Sequence, residues 1–365
     1  MIDRRLLIHF DWMLVGIVLL LAFIGILNLY SVTANEEFVG PPLYLKQMLW
    51  LAIGLGVMIT VAFIEYRYYT DFAYFIYATA VALLILVLGY GIITSGAQRW
   101  VRFGPFTFQP SEFVKISLIL ALAKFFQKSP PREGYSFRDL LLPFPLLFLP
   151  MLLILKQPDL GTAIILLLVF LSVLIFVKVR WSTLMTLGII GASILPLVWM
   201  FLKDYQKRRI ITFLNPDLDP LGAGYHLIQS KIAIGSGGLF GKGFMKGTQS
   251  KLGFLPEQHT DFIFSALGEE WGLFGCFIVM GLYLLLIWWG LRIAVEAKDR
   301  FGAILSFGVV AMLFWHSFIN MAMVLGLMPV VGIPLPLLSY GGSFLLSTLI
   351  GIGLLLNVSM RRYLF

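Results

Sequence analysis

Seven ionisable side chains lie in or against long apolar stretches of this 365-residue chain: Lys46, Glu112, Lys115, Asp159, Asp261, Glu269 and Glu270. A charge in hydrocarbon costs about 2.5–3.5 kcal/mol on insertion scales, so each is a candidate for function. A carboxylate held at a membrane boundary has the chemistry of a general base. Asp261 has the weakest structural explanation, because the neighbouring Thr260 serves equally well as a helix cap. Asp261 also opens a stripe of Ser265, Gly268 and Gly272 at helical spacing, which suits either a cavity wall or close helix packing. Glu112 follows Pro110 and Ser111, a helix start where the dipole favours an acid, and it stands i,i+3 from Lys115. Asp159 follows Pro158 and reads as a helix cap.

Other groupings carry weaker chemistry. Gly235, Ser236, Gly237, Gly238, Gly241, Gly243 and Gly247 surround Lys242 and Lys246, so exposed amides and lysines could take phosphate oxygens; a flexible turn is the equal alternative. The run is neither a P-loop nor G-x-G-x-x-G, since Phe240 occupies the last glycine position of the latter. The stretch from Gly96 to Phe103 alternates basic and aromatic residues, either an aromatic anchor at the lipid headgroups or a phosphate-binding lip built on Arg99 and Arg102. The histidines His9, His226, His259 and His316 have no metal-ligand spacing. No cofactor is required; Mg²⁺ or Mn²⁺ shared between a carboxylate and a phosphate substrate is compatible with the sequence. The single Cys276 permits no internal disulfide.

The elements that must hold these groups are membrane helices. The chain is 59% hydrophobic and only 13% charged, about half the usual charge of a soluble domain, which excludes a soluble enzyme and a disordered chain. A bilayer core needs about 20 apolar residues in helix. Ten segments qualify: 11–32, 44–64, 71–93, 111–128, 139–156, 159–178, 181–202, 261–291, 302–327 and 338–359. The first, preceded by Arg4 and Arg5 and lacking a cleavage pattern, reads as a retained span. No internal repeat supports an inverted-repeat transporter.

With the N-terminus inside, the inner connections carry 14 Lys and Arg, from Arg4 and Arg5 through Arg132 to Arg361 and Arg362, and the short outer loops carry only Arg99, Arg102 and Lys156. The positive-inside rule therefore puts both termini in the cytoplasm. It also assigns the net charge of +8 to topology, not to nucleic-acid binding. The long connection 203–260, between the seventh and eighth spans, lies outside. Residues 203–270 hold 15 of the 46 charged residues, and the aromatic and amphipathic content of the loop argues against disorder. Glu112, Asp159 and Asp261 then fall at outward helix ends, with Lys46 the main exception. An ion relay needs charges at every depth, so this clustering favours chemistry at the outer leaflet.

The motifs Gly96-Ala97-Gln98-Arg99-Trp100, Phe108-Gln109-Pro110-Ser111-Glu112, Gln157-Pro158-Asp159-Leu160-Gly161-Thr162, Leu255-Pro256-Glu257-Gln258-His259-Thr260-Asp261-Phe262 and Pro334-Leu335-Pro336-Leu337-Leu338-Ser339-Tyr340-Gly341-Gly342-Ser343 occur in that order. With Gly224-Tyr225-His226 and the run from Gln229 to Gly238, they resemble the SEDS family of bacterial cell-wall glycosyltransferases over nearly the whole chain. The loop wording is closer to the rod-shape branch of the family than to its division branch. The resemblance implies one all-α polytopic membrane domain over 1–365 and a peptidoglycan polymerase in the bacterial inner membrane, active at its outer face. Its implied substrates are lipid II and the nascent glycan strand. Its implied partners are a class B penicillin-binding protein and other membrane proteins of the rod complex.

It also implies that Asp261 is the essential acid and ties Arg99, Trp100 and Glu112 to activity. With the residue-level readings, the expected substrate-contacting set is Arg99, Trp100, Arg102, Gln109, Ser111, Glu112, Lys115, Asp159, Lys231, Lys242, His259, Thr260 and Glu269. A lipid II flippase and a non-catalytic scaffold are the alternatives. The first needs a polar path through the whole membrane, and the second sits poorly with an intact acid at Asp261.

Overall fold

The structure, a computed structural model, describes residues 9–34, 41–94, 97–103, 106–128, 133–218, 222–255 and 257–362. Arg4, Arg5 and Arg132, used above for orientation, and Gly96 and Pro256 of the motifs lie outside the described residues.

Each of the ten expected segments is a helix. They are α1 (Trp12–Thr33), α2 (Leu43–Phe63), α3 (Tyr66–Tyr90), α4 (Pro110–Phe126), α5 (Pro143–Lys156), α6 (Leu160–Phe176), α7 (Trp181–Phe201), α11 (Ile263–Val295), α12 (Arg300–Val324) and α13 (Gly342–Arg361). Six of them (α1, α2, α3, α11, α12 and α13) are long and apolar enough to cross a bilayer. The long connection is ordered into α8 (Asp204–Leu214), α9 (Ala223–Ser236) and the short α10 (Thr248–Lys251). Strands β1 (Ile92–Thr94), β2 (Ala97–Phe103) and β3 (Phe106–Phe108) form a small antiparallel sheet in that order between α3 and α4, so the basic-aromatic stretch is a hairpin.

The helices pack through close-fitting small residues, as membrane bundles do where burial of apolar surface gives no driving force between helices. A methyl group on Gly353 would stand 2.7 Å from the Met58 carbonyl oxygen, which brings α13 onto α2. Buried asparagines tie helix ends: Asn357 Nδ2 donates to the carbonyls of Val61, Ala62 and Ile64 at 2.9, 3.0 and 2.8 Å, where α2 runs out of partners of its own. Helix α7 is the exception to this packing, with Met185, Ile189, Leu195 and Met200 exposed.

The sequence reads 261–291 as one uninterrupted span. Helix α11 is instead broken at Gly272, whose φ of 66° and ψ of −165° leave the helical region. An opened helix leaves backbone groups without partners, and in a membrane these must be met by protein. The glycine-rich segment meets them. The amides of Lys242 and Gly243 donate to the carbonyls of Glu269 and Glu270 at 3.0 Å each, while those of Leu273 and Phe274 donate to Gly238 and Leu239 at 2.9 and 3.1 Å. Methyl groups at Gly237 and Gly241 would collide with the carbonyl oxygens of Gly268 and Glu270. At Gly237 and Gly241 the missing side chain permits a backbone-to-backbone approach, which a freely flexible turn would not require.

Candidate active site

One end of the bundle gathers the polar residues that the sequence singles out. The hairpin β2–β3 turns Arg99 inward, where its Nε donates to the Gln157 carbonyl at 3.0 Å and its Nη2 to that of Pro158. The turn before α6 is fixed from the other side as well. Asp159 caps α6 as expected, accepting from the Thr162 amide at 3.1 Å and the Thr162 hydroxyl at 2.9 Å. Gln109 Nε2 donates to Asp159 at 3.3 Å and to the Ser111 hydroxyl at 3.0 Å, and the Gln109 amide donates to Ser343 Oγ at 3.1 Å. Four elements thus converge: β2 and the starts of α4, α6 and α13. Trp100 is half-buried beside them, and Arg102 is exposed on the same hairpin.

Asp261 lies in the turn that leads into α11. Glu257 starts that turn with a left-handed φ of 47°, and its carbonyl accepts from the amides of Thr260 and Phe262 at 3.1 and 3.3 Å. The segment before α13 holds the turn from behind: Ser339 Oγ donates to the Thr260 carbonyl at 2.6 Å, and the Tyr340 amide donates to the His259 carbonyl at 2.9 Å. Gln47 Nε2, in the first turns of α2, donates to the Ser339 carbonyl at 3.1 Å. Lys46, its neighbour, therefore belongs to this same end of the bundle. It is no exception to the clustering.

The Asp261 carboxyl sits deep in a recess but keeps an open side, and it makes no hydrogen bond among the described residues. Its surroundings raise its pKa from the ordinary carboxylate value to about 7. Removal from water is the largest cause, followed by the negative charge of Glu257, with Asp159 adding to the rise and Arg209 and Arg99 opposing it. A base must be unprotonated, so the rate of a reaction that uses Asp261 is expected to fall as pH drops through about 7. Glu257→Gln removes a neighbouring negative charge and is expected to move that acid limb to lower pH, whereas Arg209→Gln moves it to higher pH. The Glu257 shift shrinks with added salt, because Glu257 is exposed and screened. A pH–rate profile of each variant checks the signs.

Several expected substrate contacts are committed elsewhere. Glu112 and Lys115 pair at 2.7 Å, 4% and 1% exposed, and Lys115 Nζ also lies 2.9 Å from His316 Nε2 on α12. This layer lies one turn into α4, where the two side chains are buried and occupied by each other. Lys242 Nζ binds Glu269 at 2.6 Å, and the amides of Thr248 and Gln249 donate to the same carboxylate at 2.7 and 3.0 Å. The pair anchors the glycine segment to α11. Glu270 is satisfied by the Ser31 hydroxyl of α1, 2.6 Å away. Lys231 is exposed on α9 and lies across Gly326 beyond the end of α12. Sequence reasoning missed Glu257, Arg209, Asn320 and Gly332 as neighbours of Asp261. Glu257 was visible as an acid inside a quoted motif, whereas Arg209 sat in a basic run 52 residues upstream with nothing to mark its partner.

An apolar helical bundle that gathers buried ion pairs and the unpaired Asp261 carboxyl among its polar residues defines a polytopic membrane protein. Residues 11–364 match the cell cycle protein family of FtsW, RodA and SpoVE. The chain belongs to that family. It is 43% identical over 358 residues to the peptidoglycan glycosyltransferase MrdB of Escherichia coli K12, covering 97% of this chain and 95% of that one. It superposes with a TM-score of 0.84 and 34% identity on a chain from a structure described as structural coordination of polymerization and crosslinking by a peptidoglycan synthase complex, covering 98% and 99% of the two chains. The rod shape determining protein RodA of Thermus thermophilus superposes with a TM-score of 0.73 at 32% identity, covering 98% of each chain.

Proposed function

We infer that this chain is a peptidoglycan glycosyltransferase that polymerises lipid II, with Asp261 as its general base. The observation that carries the reading is the open, unpaired carboxylate of Asp261 at the polar end of an apolar bundle. The 4-hydroxyl of the acceptor sugar attacks the anomeric carbon of the donor. Asp261 takes the hydroxyl proton as the new C–O bond forms, and the bond from the anomeric carbon to the lipid pyrophosphate breaks with inversion. The pyrophosphate leaves without a general acid. Positive charge near it stabilises the developing anion, and Arg102 and Lys231 are exposed for that purpose, with Arg99 shaping the floor. Trp100, His259 and Thr260 line the approach. Gln109, Ser111, Glu112, Lys115, Asp159, Lys242 and Glu269 support the site from within. Mg²⁺ or Mn²⁺ enters this reading only as a companion of the pyrophosphate.

An apolar cleft of about 360 Å³ beneath the hairpin, lined by Ile76, Leu83, Phe108, Phe113, Leu120 and Leu354 among others, suits a polyprenyl chain. The enzyme sits in the bacterial inner membrane with both termini in the cytoplasm and Asp261 facing outward. It works beside a class B penicillin-binding protein that cross-links its product, within the rod complex of elongating cells.

Purified protein reconstituted with labelled lipid II tests the activity. Long glycan strands are expected, whereas transbilayer movement of lipid II without polymer would overturn the reading in favour of a flippase. For orientation, a cysteine at Phe240, 81% exposed, should react with an impermeant reagent from outside intact spheroplasts. Labelling only after the inner face is opened would invert the topology.

A further inference from the structure

Asp261 has no hydrogen bond on its carboxylate, so something else must fix where that carboxylate points. Asn320 on α12 is fully buried. Its Nδ2 donates to the backbone carbonyl of Asp261 at 2.8 Å and to that of Ile333 at 2.7 Å. Both partners are carbonyl oxygens, which can only accept, so the amide orientation is fixed by chemistry. The loop at Ile333 is the surface on which the acid rests. Gly332, at a φ of +74°, lies so close that a methyl group there would stand 3.3 Å from Asp261 Oδ2. The same loop packs on α6, where a methyl group on Gly161, two residues after the Asp159 cap, would stand 3.1 Å from the Val331 carbonyl oxygen.

We propose that Asn320 is a positioning residue for the transferase reaction, its one amide group clamping both the backbone of Asp261 and the loop that supports the Asp261 carboxylate. The proposal rests on Asp261 being the base. An asparagine is a costly choice for this place if shape alone matters. Its Oδ1 is buried with no hydrogen-bond partner, an expense that an apolar side chain of similar volume avoids. What an apolar residue cannot do is donate twice. A base displaced by a fraction of an ångström still allows substrate to bind but loses the aligned proton transfer, so the loss falls on kcat.

The test compares Asn320→Leu, which keeps the volume and removes the donor, with Asn320→Thr, which keeps one donor. Each is purified, reconstituted with labelled lipid II and assayed for polymer across lipid II concentrations, with its thermal midpoint measured in parallel. Asn320→Leu is expected to lose roughly 10- to 100-fold in kcat with KM for lipid II within about twofold of the parent. Asn320→Thr should fall between the two. Parental kcat in Asn320→Leu, or a loss matched by the fraction of protein that fails to fold, overturns the proposal. If Asn320→Leu does not accumulate, Asn320→Thr decides alone: parental kcat refutes the clamp, and a lowered kcat at unchanged KM in folded protein supports it. Asp261→Asn runs alongside as a separate arm. Full activity there would sink the base assignment itself, whereas an inactive Asp261→Asn beside a fully active Asn320→Leu sinks only the clamp.

Discussion

Asp261→Asn is expected to lower lipid II polymerisation by about 10²- to 10⁴-fold while the protein folds and purifies as the parent does. The substitution conserves shape and removes the proton acceptor. It leaves the fold alone because the contacts that hold residue 261 use its backbone: Asn320 binds its carbonyl, and Ser339 binds that of Thr260. No salt bridge is broken, since the carboxylate has none among the described residues. Any residual rate should also lose its acid limb near pH 7, because the group that titrates there is gone. The measurement is glycan-strand synthesis from labelled lipid II across pH. A variant that polymerises at the parental rate would mean that the base lies elsewhere.

The largest effect on stability is expected at Lys115. The Glu112–Lys115 pair, 2.7 Å long, is sealed between α4, α12 and α13, with Ser347 Oγ donating to Glu112 at 3.3 Å. Removing one partner of a buried ion pair leaves an uncompensated charge and typically costs about 3–5 kcal/mol, whereas replacing both partners with neutral groups of similar size is near neutral. Lys115→Met should therefore depress yield and thermal midpoint sharply, and it also takes the donor away from His316. The double variant Glu112→Gln/Lys115→Met should recover most of the midpoint. Comparing midpoints in one detergent checks this. A single variant as stable as the parent would show that the two side chains do not depend on each other for stability.

What the sequence made legible followed from length and from local spacing. Ten apolar runs became ten helices, six of them long enough to cross a bilayer, because their interiors leave the backbone no other way to satisfy itself. The Asp159 cap and the Glu112–Lys115 pair were readable because both are contacts within one turn. The opening at Gly272 was hidden, since a glycine in an apolar run looks the same whether the helix passes through it or breaks. The donors of Glu269 lie 19 to 27 residues upstream, beyond any helical period. Asn28, Asn320 and Asn357 were overlooked for a different reason: charge was the filter for function, and an uncharged amide passes through it. Yet Asn320 holds the turn at Asp261 itself, and Asn28 holds Ile263, the first residue of the helix it leads into.

The glycine segment that closes the break in α11 also has a consequence for biosynthesis. Residues 237–250 emerge from the ribosome before α11 does. In the proposed orientation they have already crossed the membrane when Ile263–Val295 reaches it. Glu269 and Glu270 would oppose insertion if they arrived bare, since carboxylates are costly to bury in lipid. They meet amides, a lysine and the Ser31 hydroxyl waiting for them. In that orientation a chain interrupted between the two would have to deliver these partners from outside before α11 could settle.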